Sequence, residues 1–146
     1  MNREILFRGK RLDNGEWVTG RLITDDRDGK EFIVSSIGYH WEEDNGSTNR
    51  CMECFGFEVD PETVGQYTGL KDKNGVKIYE GDVVKGYYYI NGVKMIIVGR
   101  VVFGYNGWNI SGVGHYVGDT IILTSACEVI GMIHDNPELL EVLGDD

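Results

Sequence analysis

The stretch Val64–Asp82, VGQYTGLKDKNGVKIYEGD, decides how this chain folds. Gly65, Gly69, Asn74-Gly75 and Gly81 stand between short apolar pieces. Glycine adopts the positive φ that other residues resist. Asn-Gly supplies the paired positive-φ positions of a two-residue hairpin turn. The stretch therefore spells strand, turn, strand, turn, strand. At its end, in Tyr79-Glu80-Gly81-Asp82-Val83-Val84, one strand enters a tight turn and another leaves it. Gly81 bends the backbone, and the Asp82 side chain accepts from nearby backbone N–H groups to hold the bend. Turns of this Gly-Asp-x-Val type open small barrels. Gly69, Asn74, Gly75, Gly81 and Asp82 are accordingly assigned structural turn roles.

Reading toward the C-terminus, the pattern stays β. Asp82-Val83-Val84-Lys85 runs on through Tyr87-Tyr88-Tyr89-Ile90, and Asn91-Gly92 turns the chain. Val93 to Phe103 returns, with Gly99 read as a bulge. Tyr105 to Trp108 reverses again, and Ile121–Leu123 and Val129–Ile133 are the last strands. One helix is expected, from Asn136 as cap and Pro137 at the first helical position to Gly144 as terminator. It is too short to be stable alone, so Leu139, Leu140 and Leu143 are expected to dock on the sheet. Toward the N-terminus, Ile5–Phe7, Glu16–Ile23, Phe32–Val34 and Phe55–Val59 read as strands, and Asp13-Asn14-Gly15 reads as the turn between the first two. Asp60 caps one turn begun by Pro61, and the polar run Glu42–Arg50 reads as a loop or a long hairpin end. The expected organisation is a β-rich part over residues 1–63 and a small barrel with a terminal helix over 64–146. The two parts can also form one continuous domain.

Composition supports this and removes several functions. The 146 residues include 21 Gly, about twice the roughly 7% of average usage, and only 2 Pro. Many short strands and tight turns need that ratio. The formal net charge is −10, and the halves divided after Gly75 carry −5 each. No basic domain hides behind the average, and sequence-independent phosphate binding needs one. The opening MNREILFRGKR is too polar for a signal peptide. The longest charge-free apolar run, Met95–Gly99, is far below the ~18 residues of a membrane helix. A cytoplasmic location without membrane association is expected. Three cysteines do not make a secreted disulfide framework.

Thr68–Val84 (TGLKDKNGVKIYEGDVV) and Glu128–Leu140 (EVIGMIHDNPELL) resemble the YopX family of phage and prophage proteins. So does the opening, through Phe7-Arg8-Gly9-Lys10 and Glu16-Trp17-Val18-Thr19-Gly20. The likeness weakens over Thr24–Arg50 and Gly86–Gly118. It implies a phage-derived cytoplasmic protein, a β-rich fold with a small barrel of the Src-homology-3 type, and a homo-oligomer. It implies no activity, and Cys51-x-x-Cys54 is not part of it.

Each candidate chemistry is weighed against a structural role for the same residues. Cys51 and Cys54 have the spacing of half a zinc knuckle, with Cys127, His115 or His134 to complete four ligands. No second close pair exists, so the cysteines read as reduced thiols and no metal or cofactor is expected. Glu80 and Asp82 alternate along one strand, the arrangement paired-carboxylate chemistry needs. Two acids two apart are common in a chain with 24 of them. Ser111, His115 and Asp119 lack a nucleophile elbow, and the Gly104 and Gly112 turns lack a phosphate-loop lysine. The aromatics Tyr87, Tyr89, Tyr105 and Trp108 form the candidate binding surface. Such rings bury against a protein partner or stack nucleic-acid bases. Only Lys85, Lys94 and Arg100 are near to meet phosphates, which favours protein. The expectation is a non-enzymatic phage accessory protein that binds a host or phage protein or assembles with itself. The alternative is a nucleic-acid-binding module using that aromatic face.

Overall fold

The computed structural model describes residues 4–140. It is mainly β: antiparallel sheets that do not close into a barrel, with helical content limited to 3-10 turns. Contacts divide the chain into two compact units, Ile5–Val64 and a second running from Gly65 together with Glu4.

In the first unit β1 (Phe7–Lys10), β2 (Trp17–Thr24), β3 (Glu31–Asp44) and β4 (Ser47–Val59) pair in chain order. The Asp13–Gly15 turn forms as expected, with Gly15 at φ 73°. Backbones approach closely at three glycines. A Cβ on Gly20 would run into the Val34 carbonyl, one on Gly56 into the Ile33 carbonyl, and one on Gly9 would meet Val59 at 3.0 Å. Ile33, Val34 and Val59 are the buried apolar residues of this unit. Fully burying such a side chain contributes about 1.5–3 kcal/mol. A 3-10 turn at Pro61–Thr63 follows, and the Asp60 carboxylate accepts from Glu62 N.

In the second unit β5 (Gly65–Lys71) pairs with β6 (Lys77–Tyr79). A five-stranded sheet follows in the order β10 (Thr120–Ile122), β9 (Gly107–Gly112), β8 (Val93–Gly104), β7 (Asp82–Ile90), β11 (Glu128–Met132). The chain reverses at Asn74-Gly75 and at Gly81 as read, but Gly69 sits in an irregularity within β5 instead of at a turn, and Asn74 lacks the positive φ of a paired two-residue turn. Gly69, Gly75 and Gly81 have φ of 88°, 82° and 91°. Asp82, 1% exposed, accepts from Tyr79 N at 2.8 Å. Asn91-Gly92 turns β7 into β8 with both φ positive.

The core lies on both faces of β7 and β8. Val84, Ile97, Val101 and Ile110 pack on one face with Ile78, Leu123 and Cys127. Val83 and Val98 pack on the other with Val113, Ile133, Leu139 and Leu140.

Three expectations are corrected. The barrel is an open sheet: β10 has three residues, β11 carries a bulge between Val129 and Gly131, and the two remain separate edges. Strand count is readable locally, but closure depends on whether those edges meet. Gly99 is not a bulge. It sits in register between Val84 and Gly112, and a Cβ there would strike the Ser111 carbonyl. The expected helix appears as a 3-10 turn at Pro137–Leu140, and its continuation through Leu143 lies outside the described residues. Within that turn Leu139 and Leu140 dock as expected. Asn136 does not cap a helix; its side-chain oxygen accepts from Met132 N and closes the turn after β11.

Candidate functional site

The polar run Glu42–Arg50 is the end of a long hairpin. β2 pairs with β3 only as far as Val34. Beyond a bulge, Ser36↔Phe55 through Asp44↔Ser47 continue as a two-stranded ribbon with register unbroken. Nine pairs at about 3.3 Å per residue make an arm about 30 Å long. Asn45-Gly46 reverses the chain at its tip with φ 51° and 79°. An isolated two-stranded ribbon is marginally stable in water. This one holds itself by side chains on both faces.

Alternation sorts those faces. Ile37, Tyr39 and Trp41 of β3 share a face with Arg50, Met52 and Cys54 of β4. Tyr39 and Trp41 meet edge-on at 5.9 Å, and the Arg50 guanidinium lies 4.1 Å from the Tyr39 ring centre. Tyr39, Trp41 and Met52 are nonetheless 54%, 61% and 68% exposed. Two apolar-lined depressions, of about 340 and 300 Å³, lie where the arm leaves the sheet. Ile37 lines one and Cys54 the other; Arg21 is the charged residue among their linings.

The opposite face carries His40 and Cys51, directly across from each other, with Glu42 and Glu53 diagonal to them. His40 Nε2 is 2.8 Å from a Glu42 oxygen, and the Cys51 thiol lies 3.5 Å from the other Glu42 oxygen. A Glu53 oxygen is 2.6 Å from His40 Nδ1 but off the line of the ring N–H. The Glu42 hydrogen bond raises the His40 pKa, and the Glu53 charge adds to it. His40 in turn lowers Glu42. Partial burial, then Glu42, push the Cys51 thiol up.

Cys51 and Cys54, three apart on one strand, therefore point to opposite faces and are not a chelating pair. Cys127 is packed in the core of the second unit. Burial, then the charges of Asp72 and Asp82, push its thiol to about 11. His40, Glu42 and Glu53 were not legible as a group. Their meeting depends on a register spanning the arm, and the reading of Glu42–Arg50 as a loop or a long hairpin end carried no register.

The four aromatic candidates are not brought together. Trp108 packs on the core cluster and meets Phe103 edge-on at 5.0 Å. Tyr87 lies under Lys94, with the ammonium 4.1 Å from its ring centre. Tyr89 faces Lys94 near the start of β8, while Tyr105 is fully exposed in the turn after its end. Eleven residues of extended strand separate those positions, about 36 Å. Glu80 and Asp82 do not form a paired cleft. Gly81 at φ 91° breaks the alternation, and the Asp82 carboxylate is committed to Tyr79 N. Gly112 is a close-approach position, where a Cβ would overlap the Tyr116 carbonyl.

A family model described as YopX protein matches residues 6–141. Among solved structures, the crystal structure of protein EF1440 from Enterococcus faecalis aligns with a TM-score of 0.55. It covers 96% of this chain and 100% of that one at 22% identity, which is likeness of fold alone. No curated protein matches the chain.

Proposed function

The chain belongs to the YopX family, and from that premise we propose that it acts without catalysis, by binding protein through the β3–β4 arm, with a second copy of itself as the first partner. One observation carries this. A ribbon about 30 Å long presents Ile37, Tyr39, Trp41 and Met52 on a face with no strand or helix against it among the described residues. Exposed apolar patches rimmed by polar groups mark interaction sites, and Tyr and Trp are the side chains that anchor them. The depressions at its root add apolar surface without a carboxylate or imidazole. The protein is then a phage- or prophage-encoded accessory protein working in the host cytoplasm. It assembles with itself or engages a host or phage protein.

Sedimentation or light scattering across a concentration series tests the reading. The wild-type chain is expected to self-associate, and the Tyr39→Ser/Trp41→Ser double variant is expected to stay monomeric with an unchanged circular dichroism spectrum. A wild-type chain that stays monomeric at high concentration, or a double variant that associates equally well, overturns it.

A further inference from the structure

The face of the arm opposite the aromatics holds a second constellation. His40 Nε2, a Glu42 carboxylate oxygen and Cys51 Sγ all lie within 4.8 Å of one another. A nitrogen, an oxygen and a sulfur are the donors zinc takes at about 2.0–2.3 Å, which puts tetrahedral ligand atoms roughly 3.3–3.8 Å apart. Two approaches are near that spacing already: Nε2 is 2.8 Å from one Glu42 oxygen, and Sγ is 3.5 Å from the other. They come from both strands, since His40 and Cys51 are cross-strand partners and Glu42 is two residues on from His40. We propose that His40, Glu42 and Cys51 form a binding site for a borderline divalent cation of the zinc class, with the fourth position open to water or to a partner's side chain.

Charge supports the assignment. A carboxylate and a thiolate neutralise the dication, and the imidazole adds a neutral ligand. Binding displaces the thiol proton of Cys51, which is released to solvent, and takes the His40 ring in the neutral tautomer whose Nε2 carries no proton. Glu53, 2.6 Å from Nδ1, sets a carboxylate beside the ring on the side away from the metal, although it lies off the line of the Nδ1–H. The bound ion joins β3 to β4 in the middle of the ribbon, where no third strand among the described residues pairs with either. The site does not depend on the protein-binding reading, because the aromatic face lies on the other side of the ribbon.

Cobalt titration of the reduced full-length chain tests it through the thiolate-to-cobalt charge-transfer band. The band is expected to saturate at one equivalent, to survive Cys54→Ser, and to vanish in Cys51→Ser and His40→Gln. A second measurement needs no variant. Zinc is expected to slow alkylation of Cys51 at least tenfold, read by mass spectrometry, and to leave Cys54 unprotected. Absence of the band in the wild-type chain, its persistence in Cys51→Ser, or equal alkylation of Cys51 with and without zinc overturns the proposal.

Discussion

Asp72 carries a carboxylate into a site only 5% exposed and gives both oxygens to backbone N–H groups. One accepts from Asn74 and Val76 at 2.8 and 2.9 Å, and the other from Val129 at 2.9 Å, 57 residues away. It thus holds the Asn74-Gly75 turn and ties that turn to β11. Burial alone would raise its pKa, but the three donors outweigh it and hold the carboxyl below the ordinary range. The folded pKa is depressed, so the stabilisation is complete above the ordinary carboxyl value of ~3.9 and is lost as pH falls through the folded value. Each buried donor left unpaired costs about 1–3 kcal/mol. Asp72→Ala is expected to lower Tm by roughly 5–15 °C at pH 7, with Asp72→Asn losing less because one acceptor oxygen remains. Below pH ~4 the difference between wild type and Asp72→Asn should shrink, as thermal melts across pH would record. A constant difference down to pH 2 would mean the charge is not what the donors hold. The turn itself was legible, because Asp, Asn and Gly act on their nearest neighbours. The bond to Val129 was not, since nothing near Asp72 in sequence points to β11.

At the scale of elements, the arm is the part the sequence under-described. Phe32–Val34 and Phe55–Val59 were readable as strands, but the structure extends them to 14 and 13 residues. Register explains why. Once Glu31–Val34 pairs with β4, each further pair is added at small cost in ordering, even where the side chains are polar. The buried residues Ile33, Val34 and Val59 all lie at the root, outside the ribbon. Replacing residues 36–54 by an Asn-Gly turn is therefore expected to leave the melting temperature within about 5 °C of wild type while abolishing self-association. Loss of cooperative unfolding in that variant would show that the arm supports the unit as well as presenting a surface. The C-terminal segment shows the converse. Pro137–Leu140 folds as a 3-10 turn, yet it places Leu139 and Leu140 against Val83 and Val98 as the apolar pattern required.

At the scale of the molecule, charge separates the two binding readings. Two copies carrying −10 each repel, and salt screens that repulsion over a Debye length that shortens from about 20 Å to about 8 Å between ~20 and ~150 mM. Self-association through an apolar face is expected to strengthen over that range, whereas binding to nucleic acid would weaken steeply through the counterion effect. Affinity measured at several ionic strengths gives the sign directly, and association that weakens with salt would count against an apolar interface. The sequence by itself determined the β character, the positions of the reversals at Gly15, Gly75, Gly81 and Asn91-Gly92, and membership of the family. These follow from backbone angles and contacts between residues close in the chain. The tertiary structure decided that the C-terminal sheet stays open, that Tyr89 and Tyr105 lie toward opposite ends of β8, and that His40 faces Cys51 across the β3–β4 ribbon. Those outcomes depend on register and on which edges meet, and a one-residue slip would reverse every face while leaving each local signal unchanged.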